Sequence, residues 1–494
     1  MTFQSRLFLG LFLTLFSVTS SSKTLPVGAG KTYANPGAAA MVAVAGDTIL
    51  IYPGNYTGTY FINNLKGKSH AYIVIMGTNK NSVFLSAGSE GLHLSEVAYV
   101  KIQDLTFTAH TSNAMNVDDG GKLTSPSKHV IISQCDFKYM GAQGNNDFLK
   151  LSGLDSFTVS YSTFHKGATG GSGIDMVGCH YGWVHHCHFD SMGSNCVQMK
   201  GGTQFIKIEN NVFKNGGQRS LNLGGSTGYA FFRPQNAKFE AADIAVYSNE
   251  FIGGLAPIAY VGAERIDVAN NTIILPEKWI IRILQETADT PRFVPCRNNM
   301  FRNNIIYFSN AVTTHVNIGS NTLPATFLFS HNLWYNLSNP ANSSPSLPST
   351  ESNSIRGSDP LFVSSNNYRL QKNSPAIQSG TLIPNLPKDM LGFTYKNPPS
   401  RGAYEFEGSP SRVNMPFKNK PFIYPNPALK SVVVANLTQA MQCTVINSKG
   451  DIVIQQSIQP DSPNLLIDDL SSGIYYLRLE GFDGEYIISR FIKE

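Results

Sequence analysis

Between Gly173 and Gly225, apolar and polar residues alternate in short bursts, with no long helical stripe. Ile174-Asp175-Met176, Val197-Gln198-Met199 and Leu221-Asn222-Leu223 each set a polar residue between apolar neighbours, and their centres lie 23 and 24 residues apart. Alternation with period two predicts a strand with one buried face. Its return at a fixed longer period predicts a solenoid of stacked rungs. A second pattern keeps step with the first. A tail ending on a large apolar residue recurs as Cys135-Asp136-Phe137, Ser162-Thr163-Phe164, Cys187-His188-Phe189, Asn211-Val212-Phe213, Asn249-Glu250-Phe251, Asn271-Thr272-Ile273, Asn304-Ile305-Ile306 and Asn332-Leu333-Trp334. Its first position is a column of small polar residues, mostly Asn. The period of 22 to 28, with longer rungs where loops bulge out, suits three short strands per turn.

Asn at a turn bonds its own backbone and tolerates left-handed geometry, and stacked Asn side chains bond one another. The column resembles the asparagine ladder of right-handed parallel β-helices of the pectate-lyase-like class. A β-sandwich with regular strands would not hold Asn in phase. The expected fold is therefore all-β: a right-handed parallel β-helix with an N-terminal cap helix, followed by a small β-sandwich-like domain.

Length then fits. A chain of 494 residues is too long for one ordinary core, but a solenoid escapes that limit because each rung touches only its neighbours. Charged residues make up only 14% of the chain, and no Lys/Arg cluster suggests nucleic acid. The net charge is +5, and from Pro416 onward seven Lys/Arg face eight Asp/Glu, so the excess lies on the solenoid. That mild excess is compatible with an acidic substrate. Cys135 and Cys187 lie two rungs apart, ~9.6 Å, beyond the ~7 Å reach of a disulfide. Both are expected to be free, buried thiols. His180, His185, His186 and His188 near Cys179 and Cys187 raise zinc. Strand alternation and the lack of a Cys-x-x-Cys partner speak against it.

The ends carry their own signals. Residues 1–22 read as a secretory signal peptide: Arg6, an apolar run from Leu7 to Phe16, then small residues. The run is too short to span a bilayer, and no other segment reads as transmembrane. Pro36–Val44 predicts a helix capping the open first rung. Gly46-Asp47-Thr48-Ile49 and Pro53-Gly54-Asn55-Tyr56 resemble the opening of many β-helix proteins. Arg401-Gly402-Ala403-Tyr404-Glu405-Phe406 resembles their closing segment. The β-helix is placed at 23–407 and a Pro/Ser/Lys linker at 408–421. Residues 422–494, with Tyr424-Pro425-Asn426-Pro427 and Ser472-Gly473-Ile474-Tyr475-Tyr476-Leu477-Arg478-Leu479, resemble the C-terminal sorting domain of type IX secretion in Bacteroidota. That resemblance implies the type IX machinery as a partner and a secreted or cell-surface location.

A β-helix wall is regular, so chemistry must come from outward residues. The tripeptide centres give a stripe of Asn116, Lys150, Asp175, Gln198, Asn222, Ala259 and Arg282. Lys200 stands two residues past it and Arg219 at the turn before the next strand. An insertion from Gly225 to Ala241 brings Phe231, Phe232 and Arg233 near. Such a groove suits an extended oligosaccharide. Lys200 followed by Arg219 resembles the alginate-lyase and chondroitinase-B-like pattern. The resemblance implies Lys200 as base, Arg219 (or Arg233 or Arg282) as neutraliser of a uronate carboxylate, and Asp175 with Gln198 orienting sugar or metal. Lys150, Asn222, Arg233 and Arg282 would bind substrate. Calcium is possible as a cofactor, although no acidic ligand set stands out and no metal-ligating residue is assigned. The paired motifs of polygalacturonase-like hydrolases are missing, but Asp147, Asp175 and Asp118-Asp119 leave a hydrolase open. So does a non-catalytic glycan binder or adhesin. The chain is expected to be a monomer whose partner is a polysaccharide.

Overall fold

Each rung closes because three short strands pair in parallel with the strands one rung earlier and later. The computed structural model describes residues 22–289, 291–407 and 421–493, apart from 438, 439, 448, 449, 461 and 481–485. The expected signal peptide and linker fall, but for Ser22 and Pro421, outside the described residues. The chain divides into two compact units, Met1–Phe406 and Glu407–Glu494.

The first unit is a right-handed parallel β-helix of three long sheets with 16, 10 and 12 strands. The ten-stranded one, from Tyr60–Asn63 to Val316–Ile318, is the site sheet. The solenoid is longer than its tails suggest. It starts at Thr24–Val27, paired with Thr48–Ile51, and ends at Ile355–Arg356, paired with Leu333-Trp334. The helix covers only Pro36–Ala40, with Asn35 Oδ1 accepting from the Ala38 amide at 2.9 Å. The expected last turn does not form: Met41, Val42 and Val44 are 87%, 53% and 51% exposed and have no apolar surface to bury against.

Inside, the tail aromatics stack along the axis. Phe107, Phe137, Phe164, Phe189, Phe213 and Phe251 follow one another at 4.8, 4.8, 4.6, 5.1 and 4.8 Å. All six are buried, each contributing about 1.5–3 kcal/mol by leaving water. At one corner runs the ladder. Asn211, Asn249, Asn271, Asn304 and Asn332 are fully buried. Each Oδ1 from Asn249 onward accepts the backbone amide and the Nδ2 of the rung before, at 2.9–3.0 Å. The residue before each ladder member takes positive φ, from Gln134 (55°) to His331 (53°). The closing segment straps this corner. Asn210, Asn270 and Asn303 donate to the carbonyls of Lys388, Ser400 and Thr381, and Arg401 donates to that of Asn332. All six cysteines are free and buried.

The second unit has a three-stranded and a four-stranded antiparallel sheet. Its core includes Val432, Val434, Cys443, Leu477 and Phe491.

Candidate functional site

Strand register builds one outward column on the site sheet. Its members are Phe61, His93, Asn116, Lys150, Asp175, Gln198, Asn222, Ala259, Arg282 and Asn317, each opposite the next. From His93 to Arg282 the buried residues flanking each centre point inward, as period two requires.

Two lysines converge on one carboxylate in the middle of this column. Asp175, only 1% exposed, pairs through Oδ2 with Lys150 Nζ. Lys200 Nζ reaches the same oxygen at 3.3 Å. Lys150 also approaches Asp147 Oδ2 at 3.5 Å, and Asp147 Oδ1 accepts the Ser172 amide at 2.7 Å. Asp175 Oδ1 is buried without a hydrogen-bond partner. Burial, then the nearby Asp175 charge, raises the Asp147 carboxyl to about 6. Burial acts to lower the Lys150 ammonium, but Asp175 and Asp147 outweigh it and the pKa rises. Lys150 is therefore a fixed cation.

Local backbone aims Lys200. It ends the strand Asn195–Lys200 and is followed by Gly201 and Gly202 at φ +65° and +84°. The fully buried Glu240 holds this turn: Oε2 accepts the Gly201 amide at 2.8 Å and the Thr227 hydroxyl at 2.7 Å. Its Oε1 accepts the Thr227 amide at 3.0 Å and the Thr287 hydroxyl at 2.6 Å. In the next rung, pairing slips after Gln198–Asn222, so that Met199 faces Gly224. A Cβ on Gly225 would come within 2.7 Å of Gln198 Nε2 and 3.3 Å of Lys200 Cδ. Glycine there leaves both side chains their room.

The arginines divide. Arg219 is the first residue of the strand Arg219–Gly224, inside the strand and not at the turn before it. It donates to Asn222 Oδ1 at 3.1 Å and to Glu286 Oε1 at 2.7 Å. Glu286 thus serves Arg219, not Arg282. Arg282 lies 4.5 Å over Trp279 and donates to Asn317 Oδ1 at 3.0 Å, with no ion-pair partner among the described residues. Arg233 corrects the sequence reading. Its guanidinium turns into a corner behind the groove, forking onto Asp155 at 2.8 and 2.6 Å and reaching the Gly178 and Leu123 carbonyls. Burial works against the Asp155 charge, but hydrogen bonds from His180 and Arg233 prevail and hold that carboxyl at about 2. Phe232, expected beside the groove, is instead buried 5.1 Å from Phe293, leaving Tyr229 and Phe231 as the exposed aromatics of the insertion.

The stripe also extends further toward the chain start than the sequence reading took it. Leu92-His93-Leu94 lies 23 residues before Met115-Asn116-Val117, the spacing that could have found it. His93 is pinned by Glu90 Oε2 on Nδ1 at 2.8 Å and Asp118 Oδ2 on Nε2 at 2.7 Å. The bond to Asp118, then that to Glu90, raises it to about 9.

Calcium does not suit this cluster. It takes six to eight oxygen ligands, typically with free carboxylates, whereas Asp147 and Asp175 are committed to lysines. No group of three or more His, Cys, Asp and Glu placed to hold a metal occurs among the described residues.

Comparison with known proteins agrees with this architecture. Residues 74–273 match the family described as right handed beta helix region, and residues 422–494 match the secretion system C-terminal sorting domain. No curated protein matches the chain. Among solved structures, pectate lyase Pel9A aligns with TM-score 0.51 and 16% identity over 78% of this chain and 97% of that one. An alginate lyase from Paenibacillus sp. str. FPU-7 aligns with TM-score 0.42 and 13% identity over 63% and 99%. At these identities the likeness is one of fold. The chain is a protein of right-handed parallel β-helix fold. More particularly, it is one that carries a C-terminal type IX sorting domain, and it is exported to the cell surface or beyond. Among the described residues no helix is long and apolar enough to cross a membrane.

Proposed function

We propose that this protein cleaves a uronate-containing polysaccharide by β-elimination on the site sheet. One observation carries the reading: Lys150 and Lys200 share a single buried Asp175 oxygen, with Arg219 and Arg282 further along the same sheet. β-Elimination needs a base for the C5 proton and a cation to stabilise the charge that develops on the carboxylate. Lys150 has two carboxylates holding its proton. Lys200 ends its strand and reaches only Asp175 among the described carboxylates, so it is assigned the role of base. It takes the C5 proton, the C5–H electron pair becomes the C4–C5 double bond as the C4–O bond breaks, and the departing oxygen takes a proton from water, leaving an unsaturated sugar. Arg219 and Arg282 face the uronate carboxylate, while Gln198 and Asn222 orient the ring. Arg233 has no part in this.

A pectate lyase shares this fold, which makes acidic glycans the first to try. The full chain is mixed with alginate, pectin, glycosaminoglycans and neutral glycans, with and without Ca²⁺. Ultraviolet absorbance of the unsaturated end and release of reducing ends are followed together. Absorbance on a uronate polymer is the expected result. Reducing ends without absorbance would replace this reading by hydrolysis through Asp147 and Asp175. Retention on a glycan column with no product would reduce the protein to a binder.

A further inference from the structure

The β-elimination reading uses the site sheet from Lys150 onward and leaves its first three strands idle. There the column runs Asn116, His93, Phe61. Phe61 is 62% exposed, with its ring 4.8 Å from the His93 ring at a tilt of 34°. A lone exposed aromatic is ordinary. This one lies in line with the lysine cluster, on a partner that cannot move. His93 is fixed at both nitrogens, and Asp118 is held in turn by Ser95 Oγ at 2.6 Å and the Gly120 amide at 2.9 Å. On the next rung, the half-buried Asn116 lies with its amide 3.5 Å from His93 Nε2.

Charge separates the two ends of the column. Glu90, Asp118 and the His93 imidazolium leave one net negative charge. Arg219, Arg282 and Glu286 leave one net positive charge at the other end. Between them Lys150 and Lys200 balance Asp147 and Asp175. A uronate is therefore repelled near Phe61 and attracted near Arg282. A neutral sugar offers an apolar C–H face to bury on the phenyl ring and hydroxyl donors for Asn116 and the carboxylates.

We infer that Phe61, His93 and Asn116 form a subsite for a neutral sugar, with Phe61 three strand spacings or ~14 Å from Lys150. Resting on the β-elimination reading, this makes the substrate a mixed polymer, with a neutral residue over Phe61 and uronates toward Arg219 and Arg282.

The test reads binding, not turnover. The full chain is applied to a printed set of short and long oligosaccharides, some all uronate, some neutral, some mixed. Long mixed oligosaccharides are expected to be retained best. Phe61→Ala should weaken them about tenfold, from the apolar area that one ring buries, while short uronates bind as before. Phe61→Tyr should restore the loss. Since Phe61 is exposed, the thermal midpoint of Phe61→Ala should match the parent, which separates lost binding from misfolding. Equal binding by Phe61→Ala and parent, preference of the parent for all-uronate oligosaccharides, or no retention at all would each overturn the subsite. Loss of binding in Phe61→Ala from a protein that yields no unsaturated product would sink β-elimination and leave the subsite standing.

Discussion

Two columns of stacked side chains run along this solenoid, and they differ in one respect. At the ladder corner every amide finds its partners in the neighbouring rungs: Asn271 donates to the Val246 and Ala269 carbonyls and to Asn304 Oδ1, and accepts from Asn249. On the site sheet the side chains change at each rung, and some acceptors, such as Asp175 Oδ1, go unanswered. A column of one repeated residue that both donates and accepts satisfies itself, so it can be buried and becomes scaffold. A column of unlike residues cannot, and its members differ in charge, exposure and partners from rung to rung. Buried polar groups stabilise only when satisfied, which is why the same stacking geometry yields a spine at one corner and a site on one face.

This contrast predicts opposite signatures for substitutions in the two columns. Lys200→Ala should lower turnover by about 10²–10⁴-fold, the usual worth of a general base. Its unfolding midpoint should barely move, because Asp175 keeps Lys150. Turnover unchanged in this variant would remove Lys200 from the chemistry. Asn271→Ala should do the reverse. It strands at least two buried groups at ~1–3 kcal/mol each, so denaturant titration should show a loss of about 3 kcal/mol with catalysis per folded molecule retained. A ladder variant as stable as the parent would break the comparison.

Glu240→Gln sits between the two. The amide keeps one acceptor where the carboxylate had two, so the turns at Gly201 and Thr227 loosen around Lys200. Turnover should fall about tenfold, since small misplacements are costly to catalysis, with the fall in kcat and not in KM. The smallest effect is expected at His93. Its folded pKa of about 9 lies above the ordinary 6.5, so its bonds to Glu90 and Asp118 contribute fully below about pH 6.5 and are lost as pH rises through about 9. The stability advantage of the parent over His93→Gln should be present near pH 6 and gone near pH 10. An advantage that grows with pH would contradict the imidazolium.

Much of this was legible before any coordinates. Alternation in steps of two separates inward from outward residues, and the ladder Asn column sets the rung period, so the members of the stripe from Asn116 to Arg282 could be written down in order. The convergence of Lys150 and Lys200 on Asp175 could not, because strand register says which rungs touch and not where a flexible side chain ends. Arg233 misled for the same reason. It lies in an insertion outside the period, and only the fold shows it bent back onto Asp155. Glu240 gave no signal, since its four bonds join segments up to 47 residues apart. Phe61 and His93 were within reach of the pattern, since Leu92-His93-Leu94 repeats the spacing one rung before Asn116.

The six sheltered thiols give the protein a built-in clock. Burial pushes Cys135, Cys179, Cys187, Cys296 and Cys443 up to about 12, and Cys196 also rises. A thiol reacts as thiolate, so in the folded chain an alkylating reagent finds almost nothing to attack. Each cysteine becomes labelled only when its own stretch of wall opens, and local opening is graded along a structure. Mass spectrometry of timed labelling would therefore rank the rungs around Cys135, Cys179, Cys187, Cys196 and Cys296 by how often each one breathes.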